Sequence, residues 1–247
     1  MDMPLNLERR GMICHLDDAE WQRLRPQFES PTFEAAGTIL SKIGEPLDRS
    51  FLLLEGVIGR HVASSETGRS HMVAMQVPGD FVDLHAFPLR RLDHDVVALS
   101  DVTIARIPHT ALVDILSDSP KLARALWALT LVDAAIHRHW AFRNGSMRAL
   151  PGVANFLCEY DARMRAAGLG DGSGQRMPLT QEQIGYACGL SSIHVNRVLR
   201  DLREAGCCTL RGGQLEIQDR EKLESIGRFD RTYLYLPQDT PEHFSVR

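Results

Sequence analysis

Four side chains between positions 192 and 197 have the chemistry to read the edges of nucleic-acid bases. Ser192, Ile193, Asn196 and Arg197 recur at the three- and four-residue spacing that brings side chains onto one face of a helix. An arginine can donate two hydrogen bonds to guanine, and an asparagine can bond adenine through both of its amide atoms. A helix that carries these residues outward would therefore be suited to a major groove.

Two short helices joined by a tight turn must position that face. Thr180 followed by Gln183 is a capping box, which predicts a first helix that begins at Gln181. Gly189 ends this helix, and Ser191 can cap the second helix, which is predicted to run to Leu202. An apolar seam at helical spacing joins the two. The pattern predicts a DNA-binding helix-turn-helix, with an ordinary helical hairpin as the alternative.

A β hairpin is predicted directly after the second helix. Gly212-Gly213 separates two short runs with strand character, which is typical of a tight hairpin turn. A hairpin at this place is the wing of a winged helix, and Arg211 beside the turn is positioned to meet a phosphate. The residues predicted to contact DNA are Thr180, Gln181, Ser191, Ser192, Ile193, His194, Asn196, Arg197, Arg200 and Arg211.

Composition limits the remaining possibilities. The 247 residues are 44% hydrophobic, which suffices for one or two packed domains, and the net charge of −4 argues against a protein that coats nucleic acid by bulk charge. The five cysteines include no C-x-x-C pair, which fits a reducing cytoplasm. The first residues, Met1-Asp2-Met3-Pro4, lack the cationic stretch and apolar run of a signal peptide, and no apolar run approaches the ~20 residues of a membrane span, so we predict a cytoplasmic protein without a membrane partner.

The N-terminal half has the sequence pattern of an all-β domain. Asp17 or Asp18 could cap a short helix in the lead-in, and from Phe33 to Pro108 short β-branched runs alternate with glycine-containing turns. Strands at this spacing predict an antiparallel barrel or jelly roll. Such a barrel can hold a small ligand, and a filled core without a ligand is the alternative.

A long helix is predicted between the two parts. Ser119-Pro120 can start it and Asn144-Gly145 can end it, so its length is roughly 36 Å. We expect a stripe of that length to pack against a second copy of the chain, with burial against its own barrel as the alternative. The residues predicted to form the dimer interface are Leu122, Leu126, Leu129, Val132, Ile136 and Trp140. Gly145-Ser146 is the predicted hinge into a following helix.

The predicted fold is therefore α+β, with a β jelly roll, a dimerisation helix and a winged helix-turn-helix. The boundaries are 1–119 for the sensor domain, 120–145 for the dimerisation helix and hinge, 146–229 for the DNA-binding domain and 230–247 for a polar tail.

The order of these parts resembles the Crp/Fnr superfamily of bacterial transcription regulators over nearly the whole chain. The motifs that carry the resemblance are Gly37–Leu40 with Gly44-Glu45, Phe51–Gly56, Pro78–Phe81, Leu179–Ile184 and 189–199. The resemblance implies a homodimer, a cyclic-nucleotide-binding-like barrel, a winged helix that reads palindromic promoters, and contact with RNA polymerase through residues 168–177. Arg197 falls at the family's guanine-reading position, and Ile193 stands where many members have a glutamate.

The effector motif departs from the family pattern. Members that bind cyclic AMP carry a Gly-Glu pair for the ribose and an Arg-Ser or Arg-Thr pair for the phosphate. The corresponding residues here, which form the candidate effector pocket, are Asp83, Leu84, Arg90, Arg91 and Asp93. Because the acids would repel a phosphate, the sequence argues against cyclic AMP, and we predict no cofactor.

The sequence gives less support to a metal cluster, a haem or redox sensor, or an enzyme. A cluster like that of the oxygen-sensing members needs several closely spaced N-terminal cysteines, and only Cys14 lies there, so we predict no iron–sulfur cluster and no metal. A haem, small-molecule or redox sensor, the last through Cys207-Cys208, stays open as an alternative. A cupin-like enzyme is the remaining rival, but the barrel region has no His-x-His pair and no nucleophile–base pair is evident, so we predict no enzyme activity.

Overall fold

The computed structural model describes residues 10–63, 65, 70–170 and 174–239. Several sequence predictions fall outside the described residues. They concern the first residues at Met1, part of the turn at 65–68, the centre of the glycine-rich loop at 171–173, and the tail beyond 239.

A short helical lead-in precedes the barrel. It consists of a 3₁₀ helix at Gly11–His15, helix α1 at Asp18–Leu24 and a 3₁₀ turn at Arg25–Gln27. Asp17 caps α1 as predicted: its carboxylate accepts from the amide of Glu20 at 2.8 Å, and the Glu20 carboxylate accepts from the amide of Asp17 at 2.7 Å.

The barrel consists of two antiparallel sheets, which confirms the predicted jelly roll. Its strands are β1 (Thr32–Glu34), β2 (Ile39–Ser41), β3 (Arg49–Glu55), β4 (Ile58–Ala63), β5 (Ser70–Gln76), β6 (Asp95–Ala98) and β7 (Val102–Pro108). One sheet has the order β1-β7-β3 and the other β2-β6-β4-β5. Buried residues such as Phe51, Leu53 and Ile104 fill the space between them. Helix α2 (Ala86–Leu89) precedes β6, and helix α3 (His109–Asp118), which the sequence analysis did not identify, follows β7.

The long helix α4 spans Pro120–Ser146, and helix α5 spans Ala149–Ala166. Ser119 caps α4 by accepting from the amide of Leu122 at 3.3 Å, and Pro120 is its first residue, as predicted. The predicted hinge was misplaced, because Gly145 and Ser146 form the last turn of α4. The amide of Met147 still donates to the carbonyl of Arg143 at 3.0 Å, so the break between the helices lies at Met147 and Arg148.

The apolar stripe predicted for dimerisation faces the chain's own core. Each of its six residues is less than 9% exposed in the single chain: Leu122, Leu126, Leu129, Val132, Ile136 and Trp140. They belong to the core that also includes residues of the barrel and of α5. The assignment of this face to a partner was therefore wrong, because helical periodicity shows that a face is buried and does not show what buries it.

The C-terminal domain is a winged helix. Its elements are β8 (Gln175–Arg176), α6 (Gln181–Cys188), α7 (Ser192–Glu204), β9 (Cys208–Arg211), β10 (Gln214–Ile217) and α8 (Arg220–Gly227). The wing is a three-stranded sheet in the order β8-β10-β9. The stretch 168–177, which the resemblance assigns to RNA polymerase, is not wholly exposed, because Gln175 pairs with Leu215 in this sheet and Met177 is fully buried.

The segment after α8 is also not the polar tail that the sequence predicted. A 3₁₀ turn at Arg231–Leu234 buries Tyr233, and Leu236 is buried beyond it. The Tyr233 ring stacks on His139 of α4 with 3.7 Å between ring centroids, and its hydroxyl donates to Glu159 at 2.9 Å. The tail up to residue 239 is thus part of the packed structure.

A buried polar network joins the barrel to the winged helix. Arg163 of α5 pairs with Asp80 of the barrel and donates to the carbonyl of Met75 at 2.9 Å. Glu159, one turn earlier, accepts from the indole of Trp140 at 2.8 Å and from Arg143 at 3.1 Å. Buried charges require this kind of pairing, so the network holds the two domains in one arrangement.

Candidate DNA-binding interface

The turn between α6 and α7 depends on two glycines. Gly189 ends α6 with a φ of 65°, a left-handed conformation that few other residues adopt. Gly185 lets the backbones meet, because a Cβ there would lie 2.5 Å from the carbonyl oxygen of Leu190. The Thr180 capping box forms as predicted, with its hydroxyl accepting from the amide of Gln183 at 3.1 Å.

Helix α7 presents one apolar and one polar face. Its apolar residues Val195, Val198 and Leu202 are buried against the rest of the domain. The residues predicted to read bases are all exposed on the other side: Ser192, Ile193, Asn196 and Arg197. Ser191 caps the helix by accepting from the amide of His194 at 3.3 Å.

The polar side chains of α7 differ in the hydrogen bonds and ion pairs that they make within the chain. Asn196 donates to the side chain of Gln181 at 3.2 Å, a contact that links α7 to the start of α6. Arg200 lies 3.7 Å from Asp201 and 3.9 Å from Glu204, and its side chain is 54% exposed. Arg197 makes no hydrogen bond or ion pair with any residue that the structure describes. Its guanidinium is therefore available to an external acceptor.

A basic groove lies between α7 and the wing. The wing turns at Gly212 and Gly213, both with positive φ, and Arg211 stands exposed beside the turn. The groove has a volume of about 240 Å³ and is lined by Gln181, Asn196, Leu199, Arg200, Arg203, Thr209, Leu210 and Arg211. Arg203 and Thr209 were not identified from the sequence, although Arg203 follows Arg200 at the three-residue spacing that places it on the same side of the helix.

The paired cysteines at the wing are buried. Cys207 and Cys208 are 0% and 1% exposed, and burial raises the pKa of the Cys208 thiol to about 12. A thiol that is protonated and shielded from solvent reacts slowly with oxidants. The geometry therefore gives no support to a redox role at this position.

The candidate effector residues of the barrel do not form one pocket. Asp83 is fully buried, and its carboxylate accepts from the amide of Phe51 at 2.8 Å, while burial raises its pKa to about 7. Leu84 is also buried. The grouping predicted from the sequence was wrong, because the backbone turns Asp83 into the core instead of toward a ligand.

The other three residues of the candidate effector pocket, Arg90, Arg91 and Asp93, do not lie in the core with Asp83. Arg90 is exposed and ends α2 with a φ of 64°. Arg91 donates to the carbonyl of Gly44. Asp93 has a side chain that is 95% exposed, and it accepts from His94 at 2.7 Å. No common anion site results from these positions.

Arg60 of β4 occupies the interior between the barrel and α4. Its side chain is 1% exposed, donates to the carbonyl of Val82 at 2.9 Å and pairs with Asp133 of α4 at 2.6 Å. The cavity beside it has a volume of about 30 Å³, which is on the order of one or two water molecules. Because the barrel's interior cation is already paired and the free space is small, the residues present do not fit a cyclic nucleotide.

Histidines surround this arginine without forming a metal centre. His137 lies 3.4 Å from the Arg60 guanidinium, and burial lowers the pKa of His85 to about 4. These rings are thus neutral near pH 7. No group of three or more histidine, cysteine, aspartate or glutamate side chains within the described ranges could hold a metal ion.

An apolar face of α4 points to solvent on the side opposite the buried stripe. Trp127, Leu131 and Phe142 are 64%, 52% and 55% exposed. Their spacing of four and eleven residues keeps them on one side of the helix. The signal for this face in the sequence is the helical spacing of Trp127 and Leu131.

None of the helices in the described part of the chain is long and apolar enough to cross a membrane.

Two families match the two ends of the chain. The cyclic nucleotide-binding domain family matches residues 33–119, and the Crp-like helix-turn-helix domain family matches residues 153–226. Together they cover the barrel with α3 and the winged helix, and they leave most of α4 between them.

Known proteins resemble the chain over most of its length. The anaerobic regulatory protein of Pasteurella multocida is 25% identical over 198 residues, which are 80% of this chain and 72% of that protein. The transcriptional activator protein FnrL of Cereibacter sphaeroides is 24% identical over 210 residues, 83% of each chain. The structure of FixK2 from Bradyrhizobium japonicum has the same fold, with a TM-score of 0.73, 22% identity and coverage of 80% of this chain and 96% of that one.

The chain belongs to the Crp/Fnr superfamily. It is a DNA-binding transcription regulator of that type, from a family of regulators and not of enzymes.

Proposed function

We propose that the protein acts as a homodimer that reads an inverted DNA repeat through helix α7 and that its barrel works without a cyclic nucleotide. Arg197 would donate to guanine and Asn196 to adenine, while Arg200, Arg203 and Arg211 contact phosphates. Since its partner is DNA, we place its action in the bacterial cytoplasm and assign it no catalytic activity.

The observation that carries the proposal is the outward polar face of α7. Polar groups that face solvent without a protein partner are ready to bond a base edge, and Arg197 is in that condition within the described part of the chain. The groove beside it, with three arginines, matches the charge of the DNA backbone in a chain whose overall charge is −4.

The exposed face of α4 supports the dimer. Large apolar side chains at Trp127, Leu131 and Phe142 would be covered if two α4 helices packed side by side. This proposal keeps the expectation of a dimer through α4 and replaces the face on which it was predicted. A dimer places two recognition helices about 34 Å apart, in successive major grooves.

The barrel interior supports the second part of the proposal. A nucleotide phosphate would need a free cation, and the guanidinium of Arg60 is bonded to Val82 and Asp133. RNA polymerase remains a further proposed partner. Of the residues expected to contact it, Gln175 and Met177 are buried, so among those that the structure describes the contact would rest on exposed Gly168 and Arg176.

The direct test is selection from a pool of randomised DNA by the full-length protein with no ligand added. We expect enrichment of an inverted repeat whose half-site centres lie about ten base pairs apart. Enrichment that appears only after a cyclic nucleotide is added would contradict the ligand-free barrel, and no enrichment under either condition would contradict the assignment of α7 as the reading helix.

The dimer has its own test. Leu131→Glu places a charge on the exposed apolar face of α4, so we expect sedimentation as a monomer and loss of binding to the repeat. Phe33→Glu is the matched control, because Phe33 is a similarly exposed apolar residue of the barrel, at 67%. Dimers that persist in Leu131→Glu would show that another surface joins the subunits.

A further inference from the structure

We propose that Ile193 is a specificity-determining residue that reads the methyl group of a thymine in each half-site. The inference rests on the proposed function, since it assumes that α7 enters the major groove, and it adds the base that one side chain selects.

The exposure of Ile193 is unusual for its type. It is 66% exposed, whereas Val195, Val198 and Leu202 of the same helix are 0%, 6% and 0% exposed and Leu199 is half-buried. It is the second residue of α7, directly after the helix start that Ser191 caps. The start of a recognition helix is the part that reaches deepest toward base edges. A large apolar side chain at this place is therefore aimed at the partner and not at the core.

The chemistry of isoleucine restricts what it can face. Its side chain neither donates nor accepts a hydrogen bond, so a base edge that it covers would lose bonds to water without replacement. The C5 methyl group of thymine is the one apolar group that a base pair presents in the major groove. Contact between the isoleucine side chain and the methyl group buries apolar surface on both sides. Neither group has a polar atom that would lose a hydrogen bond to water.

The position of that thymine follows from the helix. Ile193 and Arg197 are four residues apart, which is about 6 Å along the helix axis. Base pairs are about 3.4 Å apart along the duplex. We therefore expect the thymine within two base pairs of the guanine that Arg197 reads.

The neighbouring polar residues cannot take over this role. Asn196 ends in a polar amide, which donates to Gln181 at 3.2 Å and suits a polar base edge, and the Ser192 side chain is too short to cover a methyl group. Ile193 is thus the exposed apolar side chain at the start of α7, whereas the half-buried Leu199 lines the groove nearer the wing.

Replacing thymine by deoxyuridine tests the contact, because the substitution removes only the C5 methyl group. We would use the repeat recovered from the randomised pool and substitute each thymine in turn, with the full-length protein. At one thymine per half-site we expect binding to weaken about fourfold, and about sixteenfold when both half-sites are substituted, because each substitution removes one buried methyl group. Thymines outside the half-sites serve as controls.

Two variants assign the effect to Ile193. Ile193→Ala should bind the thymine and deoxyuridine repeats equally, because the partner of the methyl group is gone. Ile193→Glu should shift the preference at that position from thymine to cytosine, whose exocyclic amine a carboxylate accepts. Because Ile193 is exposed, neither change should alter the melting temperature.

The outcomes separate this inference from the proposed function. If a repeat is recovered but no thymine is sensitive to deoxyuridine, or if Ile193→Ala keeps the same sensitivity, the role of Ile193 is overturned and the reading helix stands. If no repeat is recovered, both are overturned.

Discussion

Arg60 and Arg197 mark the contrast between the two domains. In the barrel, Arg60 is 1% exposed and bonds a carbonyl and a carboxylate of its own chain. In the winged helix, Arg197 faces solvent and has no partner among the residues described. The same side chain is thus part of the structure in one domain and available for recognition in the other.

The contrast extends to the polar side chains around each arginine. Asp83 of the barrel and Asp133 of α4 are turned inward, whereas Ser192 and Asn196 of the winged helix are turned outward. The barrel therefore keeps the strands of a ligand-binding domain, although its interior polar groups bond to the protein itself. The two regions should then respond to substitution in opposite ways, with loss of stability in the barrel and loss of binding in the winged helix.

The largest effect should come from Arg60→Ala. Removal of the guanidinium leaves Asp133 and the Val82 carbonyl without their partner, so we expect the free energy of unfolding to fall by about 3–5 kcal/mol in urea titrations. Arg91→Ala, at an exposed position, should change it little. The double variant Arg60→Met, Asp133→Leu should recover most of the loss, because it removes both charges. A stable Arg60→Ala protein would mean that the barrel interior is as open to solvent as α7.

Asp83 should give the barrel a pH dependence. Its pKa in the folded chain is about 7, above the usual carboxyl value near 3.9, so the folded state binds more protons between those two values. Its contribution to stability is therefore complete below about pH 4 and is lost as the pH rises toward and through 7. Relative to wild type, Asp83→Asn should gain about 2 kcal/mol between pH 5 and 8.

The pH experiment needs an exposed acid for comparison. Asp114→Asn is suitable because Asp114 is exposed on α3. Equal pH profiles for wild type and Asp83→Asn in thermal unfolding would show that the Asp83 carboxyl is not desolvated.

Arg197→Ala should have the smallest effect, and it should appear only in binding. We expect a loss of about 1–3 kcal/mol in binding free energy at the selected repeat, together with relaxed preference at one base pair. The melting temperature should change little, because the side chain is exposed and makes no hydrogen bond or ion pair with a described residue. Arg200→Ala is the control for a phosphate contact and should weaken specific and random DNA alike. If Arg197→Ala does the same, the arginine does not read a base.

The features that could be predicted from the sequence are those set by residues close together in the chain. Helix starts at Asp17, Ser119, Thr180 and Ser191 were recognised because a cap acts within three residues of itself. The helix-turn-helix and its wing were also recognised, since Gly189 and the Gly212-Gly213 turn are local requirements.

The predictions that failed depend on distant packing. The buried stripe of α4 that includes Leu126 gives the same pattern whether a barrel or a partner covers it. The direction of Asp83 is set by the amide of Phe51, which lies 32 residues away in the sequence. Tyr233 and Leu236 are apolar residues in the tail, but only their burial and the contacts of the turn Arg231–Leu234 with α4 and α5 show that this segment is packed.

The pair between Arg163 and Asp80 has a consequence for the speed of any rearrangement. A rotation of the winged helix away from the barrel must separate two buried charges before water can replace either partner, and that separation is a high barrier. Any such rotation therefore has to include a rearrangement of this pair.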